Sequence, residues 1–339
     1  MSANPVSEIT AILVSWRDAD DLEEAVRSLS GSRREAGPVG PRVSLVAVGN
    51  GPGSVRRERI ETLWPGATVV ENAENRGFGP AANQGASAAR GDVLLFLNPD
   101  TRAEGDPFAA LARGLDLHPE AVAMAPRLLD PDGAARGASA RALAPPGDED
   151  QFTFQLRRLP RLPSDARELL LWDHLFPSGG PRRRARYADE DRDRPFPVEQ
   201  AAGAALAVRA SVFRRIGGFD EAFRPAWFED VDLCARLLGE GAILYWPDAR
   251  FRHAGGVSSA RLGYDRFLPI LYANALRYRA KHYPLAARAA YRGLLGTGML
   301  LRLILLPLRR RMPRARSEAA RAYARVLLLL AGANRGRAA

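Results

Sequence analysis

The chain has 339 residues, of which 46% are hydrophobic and 26% are charged. This composition provides apolar material for a large packed core and excludes a disordered or collagen-like chain. The formal net charge of +10 indicates acidic partners such as nucleic acid, anionic lipid or a phosphorylated substrate.

The first hundred residues alternate between short β-branched runs and helical segments. Four apolar segments predict strands: residues 9–15, 43–48, 68–70 and 93–97. Residues 21–29 predict a helix, and the small residues of 80–90 predict another that ends with Gly91 as its C-cap. This alternation predicts an α/β fold with a mostly parallel sheet and helices on both faces, in which ligands bind beyond the carboxyl ends of the strands.

Residues 133–197 change character, because they are rich in Arg, Pro and Asp and show little periodicity. We interpret them as an acceptor-side insertion, although a solvated surface loop explains the composition equally well. Regular elements return after this segment, with predicted strands at 201–208 and 243–246 and predicted helices at 211–216 and within 227–238.

The C-terminal region, residues 261–339, is basic and predicts several helices. Residues 291–308 combine arginines with long apolar side chains, and Arg302 and Arg309 fall on one helix face. Such an amphipathic helix lies in a membrane interface, and the arginines of 309–316 add attraction to anionic lipid. Packing on the catalytic domain or on a second subunit explains the same pattern equally well.

Asp100 follows a strongly apolar predicted strand in the sequence Asn98-Pro99-Asp100. A carboxylate at that edge of the sheet is suited to hold Mg²⁺ or Mn²⁺ against phosphate oxygens. The same tripeptide is also an ordinary turn former, so the motif alone does not decide between the two.

The segment from residue 75 to residue 85 surrounds a predicted helix start with glycines. Backbone N–H groups at a helix N-terminus attract phosphate, and Arg76 beside them can add a charged contact. Asn83 lies on the first turn of that helix. A Gly-rich turn without a ligand is the alternative.

Three carboxylates, Glu229, Asp230 and Asp232, lie within four residues. A carboxylate placed at a cleft can take a proton from an acceptor hydroxyl, whereas an acidic helix N-terminus explains the cluster without chemistry. His253 follows a predicted strand and precedes Gly255-Gly256. It can therefore be a neutral metal ligand or simply a polar loop residue.

Together these segments resemble the family 2 glycosyltransferases with a GT-A fold, nearest to their rhamnosyltransferase-like members. The matching stretches are VSWRDADDLEEAVRSL (14–29), ENRGFGPAANQGASAARGDVLLFLNPD (74–100), GAALAVRASVFRRIGGFDEAFRPAWFEDVDLCARLLGEGA (203–242) and YWPDARFRHAGG (245–256). The resemblance implies a Rossmann-like catalytic domain over residues 1–260 and a C-terminal helical extension over 261–339.

The resemblance also implies an inverting transfer of a sugar from a nucleotide-diphosphate sugar. Asp230 would be the base, with Glu229 shaping the acceptor pocket, and Asp100 and His253 would hold the divalent cation, Mg²⁺ or Mn²⁺. The residues expected to bind the nucleotide-sugar are Ser15, Asn50, Arg76, Asn83, Asn98, Gly203 and Asp232.

One position departs from the family pattern. Many members end the second strand with an Asp-Asn pair whose Asp reads the nucleobase, but here the pair is Gly49-Asn50. Either Asn50 or backbone groups read the base, or base selectivity is relaxed, or donor binding is lost. The presence of Asp100, Asp230 and His253 argues against that loss.

We expect a nucleotide-sugar donor, with dTDP-rhamnose as one candidate, and a glycan or polyprenyl-linked acceptor in cell-envelope polysaccharide synthesis. The single cysteine, the absence of a signal-peptide pattern and the short apolar runs predict a cytoplasmic protein, peripheral on the inner face of the membrane. We expect no nucleic-acid partner, and an oligomer is possible.

Two other functions are considered. A non-catalytic basic module that binds membrane or nucleic acid leaves the Asp100, Asp230 and His253 set unexplained. A nucleotidyltransferase usually has a Gly-rich phosphate loop directly after its first strand, where residues 15–18 contain no glycine.

Overall fold

The computed structural model describes residues 5–35, 40–130, 151–176, 180–255, 262–308 and 313–332. The described residues group into two compact units. The first takes its residues from Met1–Arg136, Glu149–Leu159 and Arg186–Gly255, and the second takes them from Pro160–Ala185 and Gly256–Ala339. The predicted insertion at 133–197 is therefore divided, since part of it groups with the C-terminal helices.

Within the described residues of the first unit, nine strands form one sheet in the order β3-β2-β1-β4-β10-β6-β11-β5, and β8 pairs with β11. The strands of this sheet are β1 (Glu8–Ser15), β2 (Arg42–Asn50), β3 (Thr68–Asn72), β4 (Val93–Leu97), β5 (Thr101–Glu104), β6 (Ala121–Leu129), β8 (Phe196–Pro197), β10 (Ala205–Arg209) and β11 (Ala242–His253). Two further strands, β7 (Leu156–Arg157) and β9 (Gln200–Ala201), pair with each other. Strands β3, β2, β1, β4, β6 and β11 run in one direction, and β10 runs against its neighbours β4 and β6. The predicted α/β fold with a mostly parallel sheet is confirmed.

The helices divide between the two units. Those of the first unit are α1 (Ala19–Glu35), α2 (Arg57–Leu63), α3 (Phe78–Ala88), α4 (Pro107–Leu117), α5 (Gln151–Gln155), α9 (Ala210–Arg215) and α10 (Glu229–Leu237). Those of the second unit are α6 (Leu162–Leu169), α7 (Trp172–Leu175), α8 (Gly180–Ala185), α11 (Tyr264–His282), α12 (Leu285–Leu305), a 3₁₀ turn (Leu306–Leu308) and α13 (Pro313–Leu330).

Apolar side chains cover both faces of the sheet. Successive residues of a strand point to opposite faces, so Leu13 of β1 joins a core cluster with Leu22 of α1, while Ile12 joins a second cluster with Ala82 of α3. All four side chains are at most 1% exposed. Each fully buried Leu or Ile contributes about 1.5–3 kcal/mol to stability, and these clusters fix the sheet that positions the site.

Two local predictions differ from the structure. Helix α3 ends at Ala88 with Ala89 as its C-cap, so Gly91 is not the cap. A Cβ at Gly91 would lie 2.8 Å from the Thr10 backbone nitrogen, which explains a residue without a side chain at this contact. The strand predicted over 201–208 is interrupted between β9 and β10, at the segment that contains Gly203.

In the second unit, helices α11, α12 and α13 pack together, and α12 also packs on α6. The buried Arg279 pairs with Asp165, and its guanidinium lies 3.8 Å from the centre of the Tyr291 ring. Among the described helices, none is long and apolar enough to cross a membrane.

Arg302 of α12 contacts α6 within the second unit. The Arg302 guanidinium donates to the backbone carbonyls of Glu168 and Leu169, which are the last residues of α6. This contact is packing within the unit, and the predicted membrane binding of the C-terminal helices remains a prediction. Arg309, its predicted partner on the same helix face, lies outside the described residues.

Candidate functional site

The topology brings residues from three strands to one edge of the sheet. Asn98 follows the carboxyl end of β4, and His253 is the last residue of β11, which runs in the same direction. Strand β10 runs the opposite way, so Gly203, which precedes it, lies at that edge too. The Asn98 backbone N–H donates to the Ala204 carbonyl at 3.0 Å and joins the two strand ends.

Asp100 and His253 form a close pair at this edge. Their Oδ1 and Nε2 atoms are 3.2 Å apart, and the side chains are 10% and 3% exposed. The contact arises because β5 pairs with β11 in a register that places Thr101 opposite His253. The Gly255 N–H donates to Asp100 Oδ2 at 3.0 Å. Burial raises the pKa of Asp100, but His253 and the Gly255 N–H outweigh burial and hold that pKa below its ordinary value.

The Asp100–His253 pair fits two ligands of one divalent cation. Adjacent ligands of an octahedral Mg²⁺ site, each about 2.1 Å from the ion, lie about 3 Å apart. In the described part of the chain, no group of three or more His, Cys, Asp or Glu side chains is arranged to hold a metal. A cation here would therefore take its other ligands from water and from substrate phosphates, as Mg²⁺ usually does.

Gln151 contacts His253 and was not identified from the sequence. Its Nε2 donates to the His253 carbonyl at 3.0 Å, and its Oε1 lies 3.1 Å from His253 Nδ1. Gln151 begins helix α5, inside the segment interpreted as an insertion. Glutamine carries no chemical signature in sequence, and this segment has no periodicity that would identify a buried position, so no signal pointed to it.

Asp230 is held by backbone donors. Its Oδ2 accepts from the Gly203 N–H at 3.1 Å, and its Oδ1 accepts from the Val231 N–H at 2.8 Å. Burial raises the pKa of Asp230, and the two N–H donors oppose that rise. The two residues before the helix, Trp227 and Phe228, both have φ of 72°. Such left-handed backbone costs about 1–3 kcal/mol per non-glycine residue and is typical of functional sites.

Glu229 is 8% exposed, and its Oε2 has no hydrogen-bond partner among the described residues. Burial, reinforced by the neighbouring Asp230 carboxylate, raises the pKa of Glu229 well above its ordinary value. The side chain therefore holds a proton under conditions in which an exposed glutamate has lost it. The two adjacent carboxyl groups therefore differ: Asp230 accepts two backbone hydrogen bonds that favour its charged form, and Glu229 Oε2 accepts none from the described residues.

Arg157 is a second residue that sequence analysis missed. Its positive charge opposes the rise in the pKa of Asp230 that burial causes. It lies in β7, which pairs with β9 two residues before Gly203. The predicted insertion contains many arginines, and nothing in its pattern distinguishes this one.

Asn50 organises the loop that precedes α3. Its Nδ2 donates to Asn75 Oδ1 and to the Gly77 carbonyl at 2.9 and 3.1 Å. Its Oδ1 accepts from the Arg76 N–H and from Asn72 Nδ2 at 3.0 and 3.3 Å. These bonds use both amide hydrogens and both lone pairs, so the geometry does not favour the predicted contact between Asn50 and a nucleobase.

The N-terminus of α3 is not an open phosphate cradle. The N–H groups of Arg76 and Gly77 donate to Asn50 and Asn75, and the Phe78 N–H donates to the Pro225 carbonyl at 2.9 Å. The Arg76 side chain is exposed, and its predicted contact with the nucleotide remains a prediction.

Asn83 and Asp232 make contacts within the protein, and their predicted contacts with the donor remain predictions. Asn83 Nδ2 donates to the Phe219 carbonyl and its Oδ1 accepts from the Phe219 N–H, both at 2.9 Å. The Asp232 side chain is fully buried and pairs with Arg236 at 2.8 Å. Neither geometry presents a free polar group to a ligand.

Three predicted binding residues do lie at the edge of the sheet. Ser15 ends β1, and its buried hydroxyl has no partner among the described residues. Asn98 Nδ2 lies 3.4 Å from His253 Nε2. A Cβ at Gly203 would make only ordinary contacts, 3.6 Å from Asp230 Cβ, so protein packing alone does not explain the glycine.

The side chain of Val55 packs against Gly49, at the position where many family members carry a carboxylate. A Cβ at Gly49 would lie 2.3 Å from Val55 Cγ1 and 3.0 Å from Val55 Cβ. Val55 therefore fills the space that a side chain at position 49 would need. A nucleobase at this strand end must be contacted by other groups.

Comparison with known proteins gives a consistent family. Residues 11–168 match the family model described as glycosyl transferase family 2. The chain is 25% identical over 268 residues to N-acetylglucosaminyl-diphospho-decaprenol L-rhamnosyltransferase of Mycobacterium tuberculosis strain CDC 1551 / Oshkosh, which spans 75% of this chain and 78% of that relative. The protein of the same name from strain H37Rv matches equally.

Solved structures show the same fold. A crystal structure of GalNAc-T7 with UDP, GalNAc and Mn²⁺ aligns over 82% of this chain with a TM-score of 0.50 and 15% identity. The chain spans about half of that protein, 51% of its length. This likeness concerns the fold alone, and the fold is GT-A.

Proposed function

We propose that this chain, a rhamnosyltransferase-like enzyme of glycosyltransferase family 2, moves a sugar from a nucleotide-diphosphate sugar to an acceptor hydroxyl with inversion. The observation that carries the proposal is the arrangement at the edge of the sheet. The Asp230 carboxylate is fixed by the Gly203 N–H, and Gly203 adjoins Ala204, which pairs with the segment that carries Asp100.

Asp230 would act as the base. The acceptor oxygen forms a bond to the anomeric carbon of the donor, its proton passes to an Asp230 carboxylate oxygen, and the bond to the diphosphate breaks with its electron pair on the phosphate oxygen. Burial raises the pKa of Asp230, which brings it nearer to the value at which a carboxylate is an effective base at neutral pH.

Asp100 and His253 would hold a divalent cation, Mg²⁺ or Mn²⁺, against the donor diphosphate. When bound, the cation would act as a Lewis acid and stabilise charge on the leaving diphosphate. The 3.2 Å separation of Asp100 Oδ1 and His253 Nε2 supports this assignment. A protein of the same fold, GalNAc-T7, was crystallised with Mn²⁺ and UDP.

The relative named above supports a more specific proposal, that the sugar is rhamnose, carried on dTDP, and that the acceptor is a lipid-linked glycan of the cell envelope. The name of that relative specifies an acceptor on a diphospho-decaprenol lipid and a transferred L-rhamnose. The positive charge of Arg157 beside Asp230 suits an acceptor that carries phosphate.

A lipid-linked acceptor requires contact with a membrane surface, and the second unit has an exposed apolar surface that supports it. Trp172 and Phe176 are 55% and 51% exposed, and their ring centres are 4.7 Å apart. Leu175 beside them and Ile304 of α12 are also exposed. Aromatic rings of this kind bind at the headgroup level, and the net charge of +10 favours anionic lipid.

Product formation tests the proposed reaction. The purified protein is incubated with Mn²⁺, a lipid-linked N-acetylglucosaminyl diphosphate, and dTDP-rhamnose or a UDP- or GDP-sugar, and both nucleoside diphosphate and glycosylated lipid are measured. We expect acceptor-dependent release of dTDP from dTDP-rhamnose and an equal amount of rhamnosylated lipid. Release of nucleotide without acceptor glycosylation, for every donor, would contradict the proposal.

A further inference from the structure

Gln151 makes two hydrogen bonds to one residue. It is 1% exposed, and its side-chain amide contacts both the backbone carbonyl and the ring Nδ1 of His253. A Cβ at Gly255 would lie 3.1 Å from Gln151 Nε2, so the chain after His253 packs closely on the same amide. The amide and the imidazole are therefore fixed relative to each other.

The carbonyl of His253 determines which way the amide faces. A carbonyl oxygen only accepts hydrogen bonds, so the Gln151 NH₂ group must face it, and Oε1 must then face Nδ1. Oε1 has no hydrogen to donate. The contact at 3.1 Å is favourable only when Nδ1 carries a proton, so Nε2 is the ring nitrogen that can bind a cation.

We infer that Gln151 is a positioning residue that keeps a proton on His253 Nδ1, so that Nε2 is the nitrogen that binds a cation beside Asp100 Oδ1. This inference rests on the proposed cation site. Metal-binding histidines generally donate their second ring N–H to an oxygen acceptor, and loss of that acceptor weakens metal binding. Asp100 Oδ1 and Asn98 Nδ2 lie 3.2 and 3.4 Å from His253 Nε2, so that nitrogen is the one that faces the proposed cation site.

Gln155 provides a matched control in the same helix. It is fully buried, and its amide also makes two hydrogen bonds, one from the Leu128 N–H at 3.2 Å and one to the Pro126 carbonyl at 2.6 Å. Both partners are backbone groups of β6 and neither belongs to the site. Replacement of Gln155 removes as much buried hydrogen bonding as replacement of Gln151 and leaves His253 untouched.

The tautomer is measured in metal-free, full-length protein from the ring ¹⁵N shifts of its four histidines, with His253 assigned by the signal lost in His253→Asn. Mn²⁺ affinity is measured separately by EPR titration without donor or acceptor. We expect a protonated Nδ1 in the wild type, a population with unprotonated Nδ1 in Gln151→Leu, and Mn²⁺ binding that is weaker in that variant by roughly 10–100-fold. Gln155→Leu should match the wild type in both measurements.

Gln151→Glu separates positioning from packing. It retains an oxygen that accepts from Nδ1–H but cannot donate to the His253 carbonyl, so Nδ1 should stay protonated and Mn²⁺ binding should not weaken, even if the variant is less stable. Wild-type shifts and affinity in Gln151→Leu, or equal loss in Gln155→Leu, would overturn the inference. Because no sugar is present, either result is distinct from a failure of the proposed glycosyl transfer.

Discussion

The backbone N–H of Gly203 donates to Asp230 Oδ2 at 3.1 Å, although the two residues are 27 positions apart in the chain. The bond ties the start of helix α10 to the segment that enters strand β10. That strand pairs with β4, which leads directly into Asn98 and Asp100. The proposed base and Asp100 therefore depend on one pair of strands for their positions, and His253 is carried by β11.

The proposed base is tested by Asp230→Asn. The amide is nearly isosteric with the carboxylate but cannot take a proton, so we expect sugar transfer to fall about 10²–10⁴-fold. Binding of the nucleotide-sugar and of Mn²⁺, measured by calorimetry, should remain close to that of the wild type.

Asp232→Asn is the control, since Asp232 lies two residues away and its pairing with Arg236 is buried. We expect this variant to have a lower melting temperature and unchanged turnover per folded molecule. Normal turnover in Asp230→Asn, or a loss of transfer in Asp232→Asn equal to that in Asp230→Asn, would argue against the assignment.

The buried Glu229 predicts a pH dependence of stability. The pKa of this carboxyl is raised in the folded protein above its ordinary value of 4.5, so the folded state binds more protons than the unfolded state as the pH rises beyond that value. The free energy of unfolding therefore decreases with rising pH through this window. Glu229→Gln removes the titration and should flatten the dependence as the pH rises beyond 4.5 in urea unfolding. A wild type and a variant with parallel profiles would contradict the prediction.

The single cysteine predicts a slow thiol reaction. Cys234 is fully buried in α10, and burial raises the pKa of its thiol to about 12. The thiolate is the reactive form, so a thiol reagent should modify native protein only as fast as the protein opens and should react at once in denaturant. Immediate stoichiometric modification of native protein would contradict this placement of α10.

The apolar surface of the second unit predicts membrane binding through aromatic rings. Each of Trp172→Ser and Phe176→Ser should weaken binding to anionic liposomes roughly 10–100-fold, since burial of one such side chain contributes about 1.5–3 kcal/mol. Leu117→Ser removes a side chain that is 69% exposed in the first unit and should leave flotation unchanged. Wild-type protein that stays at the bottom of a flotation gradient at low salt would refute the proposed contact.

Much of the first unit could be predicted from sequence, because periodicity and strand order determine which residues reach the edge of the sheet. The strands that lead to Ser15 and Asn98 are apolar runs with an unambiguous pattern, and Asp100 and His253 were predicted together and lie in contact. The match to the glycosyl transferase family 2 model favours a glycosyltransferase over the nucleotidyltransferase and the non-catalytic module.

The contacts of several polar side chains could not be predicted, because their partners are distant in the sequence or are not indicated by the local residue pattern. Asn83 and Asp232 have the residue types of a binding site, but their partners, Phe219 and Arg236, are identifiable only in the folded chain. The same holds for Arg302, whose basic helix face predicted lipid while its guanidinium caps the end of α6.

The central claim is that one edge of the sheet holds both the cation and the base. Anomalous diffraction from crystals grown with Mn²⁺ and a nucleoside diphosphate tests it most directly. The account predicts an anomalous peak bonded to Asp100 and to His253 Nε2, with the diphosphate in contact with the ion and the Asp230 carboxylate facing the same cavity. A peak that contacts neither residue, or an Asp230 carboxylate facing a separate cavity, would contradict it.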